Sequence, residues 1–123
     1  MKSNQEIINE LGKLIVDDII DRQVKGNTKA IFDGFKNPTK KIYNQLFDEL
    51  NEDQKKTLQL YVNDLIKSML FDFLGFFEEN EQFKLIYEEA GEQVDLNKIS
   101  EMLKAEPIIE GGWIERFSKE LKS

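Results

Sequence analysis

Residues 52–78 read EDQKKTLQLYVNDLIKSMLFDFLGFFE, and this stretch decides the expected fold. Its main apolar residues recur at helical spacing and fall within about 120° of one another on a helical wheel: Leu58, Val62, Leu65, Ile66, Met69 and Phe73. Leu60, Phe71 and Leu74 lie off that face, so the second half of the stretch is apolar on nearly every side. Because a helix of that kind is normally buried, we predict that 52–78 is a central helix around which the others pack.

The first helix is predicted to begin after Ser3, which can form a capping box with Glu6. Apolar residues at helical spacing follow: Ile7, Ile8, Leu11, Leu14 and Ile15. Gly26 stands where a glycine often ends a helix in the left-handed conformation. These signals predict a helix over about 4–24.

Two further helical segments are predicted before residue 52. A short one is expected around 28–35, and a longer one over about 38–50, since Asn37 can cap a helix and Pro38 suits its first position. The helix at 52 has its own capping box in Asn51 and Gln54.

The stretch 82–96 is ambiguous between a hairpin and a helix. Strand-forming residues on both sides of Ala90-Gly91, a turn signal, favour a β-hairpin narrowly. Asp95 would then cap a helix that continues to Leu103, and a closing helix follows Gly112. The predicted fold class is therefore mainly α: a compact single-domain bundle of four to five helices with a small hairpin near 82–96.

Composition removes much catalytic chemistry, because the chain has no His and no Cys. This excludes zinc sites built on those residues, Cys–His and Ser–His catalysis, haem ligation through either residue, and disulfides. Gly111-Gly112 lacks the spacing of a phosphate-binding loop. No motif predicts an activity, and we predict no catalytic residue, metal or cofactor.

Two carboxylates fall on apolar helix faces and are candidates for buried ionisable groups. Asp18 projects between apolar residues of the first helix, and Arg22 lies one turn further on, where it can pair with it. Asp72 projects between Tyr61 and Leu65. A buried charge is costly unless it is paired, so both are interpreted either as structural pairs or as a site.

Charge is distributed unevenly along the chain. The total is −7, and residues 76–110 alone carry ten acids against three lysines, a balance of −7. Such a segment can attract a basic partner, whereas an acidic chain is a poor binder of nucleic acid. The predicted contact residues are seven acids, with Trp113 as a candidate anchor: Glu78, Glu79, Glu81, Glu88, Glu89, Glu92 and Asp95. The alternative for Trp113 is that it packs on the core with Phe117 and fixes the end of the chain there.

The leading hypothesis is a small acidic cytoplasmic protein without catalytic activity that binds a basic protein, as an inhibitor or immunity-type protein does. A homo-oligomeric regulatory or structural module that uses the Phe-rich end of 52–78 is the alternative. A third class is an enzyme or ligand carrier with Asp18 and Asp72 in a pocket. We expect no membrane span, because no apolar run approaches the ~20 residues required. The excess of lysine over arginine is typical of an AT-rich bacterial genome.

Overall fold

The computed structural model describes residues 2–121. Its first part is one continuous rod made of α1 (Asn4–Ile15), a π-helical segment (Val16–Ile20) and α2 (Asp21–Asp33). The remaining elements are, in chain order, a 3₁₀ turn (Pro38–Lys40), α3 (Ile42–Asp48), α4 (Glu52–Glu79), β1 (Ile86–Glu89), β2 (Glu92–Asp95), α5 (Leu96–Ile99), a second 3₁₀ turn (Leu103–Ala105) and α6 (Trp113–Phe117). The predicted fold class, mainly helical with a small antiparallel hairpin, is confirmed.

Both predicted capping boxes are confirmed. Ser3 Oγ accepts a hydrogen bond from the Glu6 amide at 3.2 Å, and Glu6 Oε1 accepts one from the Ser3 amide at 3.0 Å. Asn51 and Gln54 exchange the same pair of bonds at 2.8 and 2.9 Å. These side chains satisfy amides that have no partner within the helix, and so they define where α1 and α4 begin.

The prediction that the first helix ends near Gly26 is wrong. The helix continues through Gly26 and ends at Gly34, whose φ of +85° lies in the positive region that glycine adopts far more readily than other residues. A glycine inside a helix costs about 1 kcal/mol relative to alanine. Burial of Ala30 and Ile31 on the following turns offsets that cost, so the segment expected at 28–35 is the end of α2.

The hairpin prediction at 82–96 is confirmed. Its turn residues Ala90 and Gly91 have φ of 52° and 83°, the left-handed pair of a type I′ turn. Tyr87 pairs with Val94, and both side chains pack against the core. The helix that follows is shorter than predicted: Asp95 caps α5, which ends at Ile99, and Leu103 lies in a 3₁₀ turn.

The core is centred on Trp113 of α6. Its side chain is 0% exposed and packs directly against Gly12 of α1. A Cβ added at Gly12 would lie 2.5 Å from Trp113 Cγ, so only glycine allows the helix to approach the indole this closely. The other fully or largely buried apolar residues around it are Ile7, Ile8, Val16, Ile20, Val24, Leu74, Leu96, Leu103 and Ile114.

The π-helical segment keeps one row of the rod in contact with this core. That row recurs at every fourth position: Ile8, Gly12, Val16, Ile20 and Val24. In a regular α-helix of 3.6 residues per turn such a row rotates by about 40° at each step. The π turn holds one residue more, as the bond from the Asp21 amide to the Val16 carbonyl shows, and this returns the row to the core.

The expected central burial of 52–78 is wrong. α4 packs against α2 and the 103–105 turn, and only Leu74 and Gly75 along it are buried. The neighbouring elements cover one row of α4, while the adjacent row, equally apolar, faces outward. The sequence pattern showed how many apolar rows the helix has, but the number of elements available to cover them decided its burial.

Candidate protein-binding surface

Three of the seven predicted acidic contact residues have partners within the chain. Glu78 Oε2 lies 3.6 Å from Lys104 Nζ, and its Oε1 accepts a hydrogen bond from the Lys104 amide at 3.3 Å. Asp95 accepts one from the Asn97 amide at 3.0 Å and thereby caps α5. Glu89 accepts the hydroxyl hydrogen bond of Tyr87. These carboxylates hold local structure together.

The other four acids are exposed: Glu79, Glu81, Glu88 and Glu92. Within residues 2–121 none of them forms an ion pair or a side-chain hydrogen bond. They lie at the carboxyl end of α4 and on the hairpin, where strand alternation directs Glu88 and Glu92 to opposite faces. We call this stretch, with its four exposed carboxylates spread over several faces, the negatively charged end; Lys84 and Lys98 line the same groove as Glu81.

Trp113, the predicted aromatic anchor for a partner, is wrong as a contact residue because it is sealed in the core. The Gly111-Gly112 pair that precedes it serves this burial. Gly111 has a φ of +70°, and a Cβ at Gly112 would lie 2.8 Å from the Ile109 carbonyl oxygen. A partner reaching the indole would have to open the core.

The predicted buried ionisable groups are also wrong, since Asp18, Arg22 and Asp72 are all exposed. Asp18 lies two positions from the buried Val16 and Ile20 and so projects from the opposite side of the rod, and in the described residues Asp18 and Arg22 form no ion pair. Asp72 is exposed because the face of α4 that carries it has no covering element. They do not lie together in a pocket, and they do not form a buried pair.

The partly buried carboxylate that matters for structure is instead Asp21. Its Oδ1 accepts a hydrogen bond from Ser118 Oγ at 2.6 Å, and its Oδ2 accepts one from the Lys119 amide at 2.8 Å. It thereby fastens the end of α6 to the rod. No local sequence pattern relates Asp21 to a residue 97 positions away, so sequence reasoning did not single it out.

One cluster of titratable groups joins the hairpin to α1. Lys2 Nζ lies 2.7 Å from Glu10 Oε2 and 3.2 Å from the Tyr87 hydroxyl, which donates to Glu89. The carboxylate of Glu10 is the main cause that raises the pKa of Lys2 above its usual range. The hydrogen bond to Glu89 raises the pKa of Tyr87, so this phenol stays protonated and is poorly suited to act as a base or nucleophile.

The outer face of α4 is a surface that sequence reasoning anticipated only in part, through the Phe-rich end of 52–78. We call it the α4 ridge and define it as Tyr61, Leu65, Met69, Phe73 and Phe76, all exposed large apolar side chains. With Ser68 and Asp72, four of these residues line one shallow groove of about 630 Å³. The signal was present in the +4 repeat, but it was interpreted as core.

The α4 ridge continues into the negatively charged end. The Phe76 ring lies 5.3 Å from that of Phe77 and 5.7 Å from that of Phe83, which is itself exposed. Glu79 and Glu81 lie between these aromatic residues in the chain. An apolar surface thus ends beside carboxylates that have no partner in residues 2–121.

No sign of a metal centre accompanies this surface. Among the described residues, no three His, Cys, Asp or Glu side chains come close enough together to hold a metal ion. Nor does any helix within 2–121 combine the length and apolar character needed to cross a bilayer.

Comparisons with protein families, with curated proteins and with solved structures find no match for this chain. The candidate surface is therefore defined by its geometry and charge alone.

Proposed function

We propose that this protein binds a basic partner protein without catalysing a reaction, in the manner of an inhibitor or immunity-type protein. The observation that carries the proposal is the negatively charged end of the molecule. Glu79, Glu81, Glu88 and Glu92 are exposed there, and no lysine or arginine of residues 2–121 neutralises them in an ion pair.

Uncompensated carboxylates of this kind act mainly on the rate of association. A field of one sign steers an oppositely charged partner and can raise its association rate by about 10- to 1,000-fold at low salt. The exposed Phe76 and Phe83 beside the charges supply apolar area for the complex that follows, and aromatic residues are enriched in the cores of protein interfaces. Charge would bring the partner in, and the aromatic side chains would hold it.

A charge-reversal experiment tests the proposal. The partner is first isolated from native cell lysate by affinity capture at low salt and identified by mass spectrometry. Its association rate is then measured with the wild type and with a variant in which Glu79, Glu81, Glu88 and Glu92 are all changed to Lys. We expect the association rate to fall at least tenfold and its salt dependence to flatten.

The matched control reverses four exposed acids elsewhere, Asp33, Asp48, Glu49 and Glu120, to Lys. Both variants change the net charge equally, so only position differs between them. If the two variants slow association equally, the total charge is responsible and the negatively charged end is not the contact. If neither slows it, electrostatic attraction of a basic partner is wrong.

A homo-oligomeric module is the second candidate, and the exposed α4 ridge is the observation in its favour. Monomeric proteins rarely expose large contiguous apolar patches outside interaction sites. Sedimentation equilibrium tests it, because a monomer at high protein concentration would contradict self-association.

A further inference from the structure

We infer that the α4 ridge is the docking site for one amphipathic helix of the partner, with apolar residues on one face and basic residues along its edge. This inference rests on the proposed function and specifies the partner segment that the surface would take. The argument uses the length of the ridge, its side chains and the charges beside it.

The length of the α4 ridge suits a helix. From Tyr61 to Phe76 it extends about 23 Å at 1.5 Å per residue, close to four turns. An amphipathic helix that lies in an apolar groove presents residues at i, i+3, i+4 and i+7, and four turns accommodate such a set. The shallow groove runs along α4 from Leu65 to Phe76, about 17 Å or three turns of the ridge, so a row of partner side chains fits it better than a compact small molecule does.

The side chains of the ridge are suited to such an interface. Tyr61 and Phe73 provide large rigid aromatic area, and Met69 is a flexible residue that adapts to the shape of a partner. Met69 is 75% exposed and Phe73 58%, so both would lose substantial apolar surface to water on docking. Burial of that surface supplies the affinity.

The row beside the ridge is acidic, and this determines the charge of the occupant. Asp64 and Asp72 are exposed on the row Leu60, Asp64, Ser68 and Asp72, which is spaced four residues apart and meets the ridge at Phe76. Within residues 2–121 neither aspartate is in an ion pair. Lysine or arginine at the edge of a docked helix would meet them.

The same acidic row argues against a second copy of this chain as the occupant. An antiparallel two-fold pairing of α4 ridges would bring like edges together, so Asp64 and Asp72 of one copy would line the edge that carries the same residues of the other. Like charges in such positions are destabilising and oppose self-association. A basic helix has no such penalty.

Defined peptides test the inference. The first probe is a labelled 18-residue helix-forming peptide with leucines on one face and lysines along its edges, and the second replaces those lysines with glutamates. Binding is measured by fluorescence anisotropy. The ridge variant carries Met69→Gln and Phe73→Gln, and the control carries Ile42→Gln and Leu46→Gln on α3, where exposure is similar at 68% and 57%.

We expect the lysine peptide to bind the wild type and the control with dissociation constants within twofold of each other. The ridge variant should bind it at least tenfold more weakly, and an Asp64→Lys, Asp72→Lys variant should also bind it more weakly. The glutamate peptide should not bind. Circular dichroism and the emission of the buried Trp113 confirm that each variant is folded.

Three outcomes would overturn the inference: equal binding of the lysine peptide by the ridge variant, equal binding of the two peptides, or no binding of either. A concentration-dependent dimer that disappears in the ridge variant would assign the ridge to a second copy instead. The docking site and the proposed function can fail separately. If reversal of Glu79, Glu81, Glu88 and Glu92 slows partner association while the ridge variant does not, only the docking site is wrong.

Discussion

The core row of the rod and the α4 ridge have the same sequence pattern and opposite environments. In the rod the row Ile8, Gly12, Val16 and Ile20 repeats every four residues and is buried against α6. In α4 the row Tyr61, Leu65, Met69 and Phe73 repeats in the same way and is exposed. Periodicity therefore specifies which side chains share a face, whereas burial depends on whether another element of the chain packs against that face.

The largest effect that separates the two regions is expected from Trp113→Ala. This indole is fully buried at the centre of the core, and truncation of a buried Phe or Trp typically costs about 3–5 kcal/mol in the free energy of unfolding. That is a large fraction of the about 5–15 kcal/mol that stabilises an ordinary domain. Urea denaturation followed by circular dichroism measures it. A cost below about 1 kcal/mol would contradict the central position of Trp113 in the core.

A smaller effect is expected from Gly12→Ala, which adds one methyl group at the closest approach of α1 to the indole. The added Cβ would lie 2.5 Å from Trp113 Cγ, so ring or helix must move. Overpacking of this kind costs about 1–3 kcal/mol, which exceeds the gain in helix propensity from glycine to alanine. The double variant with Trp113→Phe should cost less than the sum of the single variants, because the smaller ring leaves room. Strict additivity would show that the two residues are not in contact.

The hydrogen bonds of Asp21 link the rod to the end of α6, and Ser118→Ala tests them. Ser118 is fully buried, and its hydroxyl donates to Asp21 and accepts from the Leu121 amide at 2.9 Å. Loss of this hydroxyl removes a hydrogen bond to the charged, partly buried Asp21 and leaves the Leu121 amide without that partner, which costs about 1–3 kcal/mol. Thermal unfolding checks the value. The exposed Ser68→Ala, which removes a hydroxyl from α4 without a bonded partner in residues 2–121, should cost far less.

The fold could be predicted where local signals were decisive. Ser3 with Glu6 and Asn51 with Gln54 located two helix starts, and Ala90-Gly91 located the hairpin turn, because each depends on residues within three positions. The end of the first helix at Gly34 was missed, since burial of Ala30 and Ile31 by α4 outweighs the weak preference of Gly26 to stop a helix.

The candidate site was harder to predict, because it depends on contacts between distant residues. Asp18 is exposed because Val16 and Ile20, two positions on either side of it, occupy the buried face, and the helical wheel alone did not show which apolar residues of the first helix face the core. Glu78 is an internal ion-pair partner only because Lys104, 26 residues on, packs beside it. To predict that Met69 is exposed, one would have to know that no other element of residues 2–121 packs against it. A sequence pattern does not contain that information.

Acid titration tests the capping box at the start of α1. Hydrogen bonds from the backbone and hydroxyl of Ser3 lower the pKa of Glu6 below its usual value of 4.5. Because the folded pKa is depressed, the stabilisation is fully present above 4.5 and is lost as the pH falls through the folded pKa. Both groups are exposed, so solvent screening keeps the contribution small. An NMR titration should place the pKa of Glu6 higher in Ser3→Pro, which removes both the amide hydrogen and the hydroxyl of residue 3, than in the wild type; an unchanged pKa would contradict the capping box.

The smallest effect is expected on the α4 ridge, where Met69→Gln should change the free energy of unfolding by less than about 0.5 kcal/mol. Met69 is 75% exposed, and methionine and glutamine have similar helix propensities, so the substitution removes little packing and costs little in the helix. Leu74→Gln, one and a half turns further along the same helix, buries a polar amide and should cost several times more. Urea denaturation of both variants measures the difference.

If Met69→Gln proves as costly as Leu74→Gln, the ridge is covered in the free protein, and a second copy of the chain is the occupant that such a result would indicate. If it is neutral, the large apolar side chains of the ridge contribute nothing to folding. An exposed apolar face that folding does not require favours a binding role, since exposed methionine and phenylalanine add to the risk of aggregation.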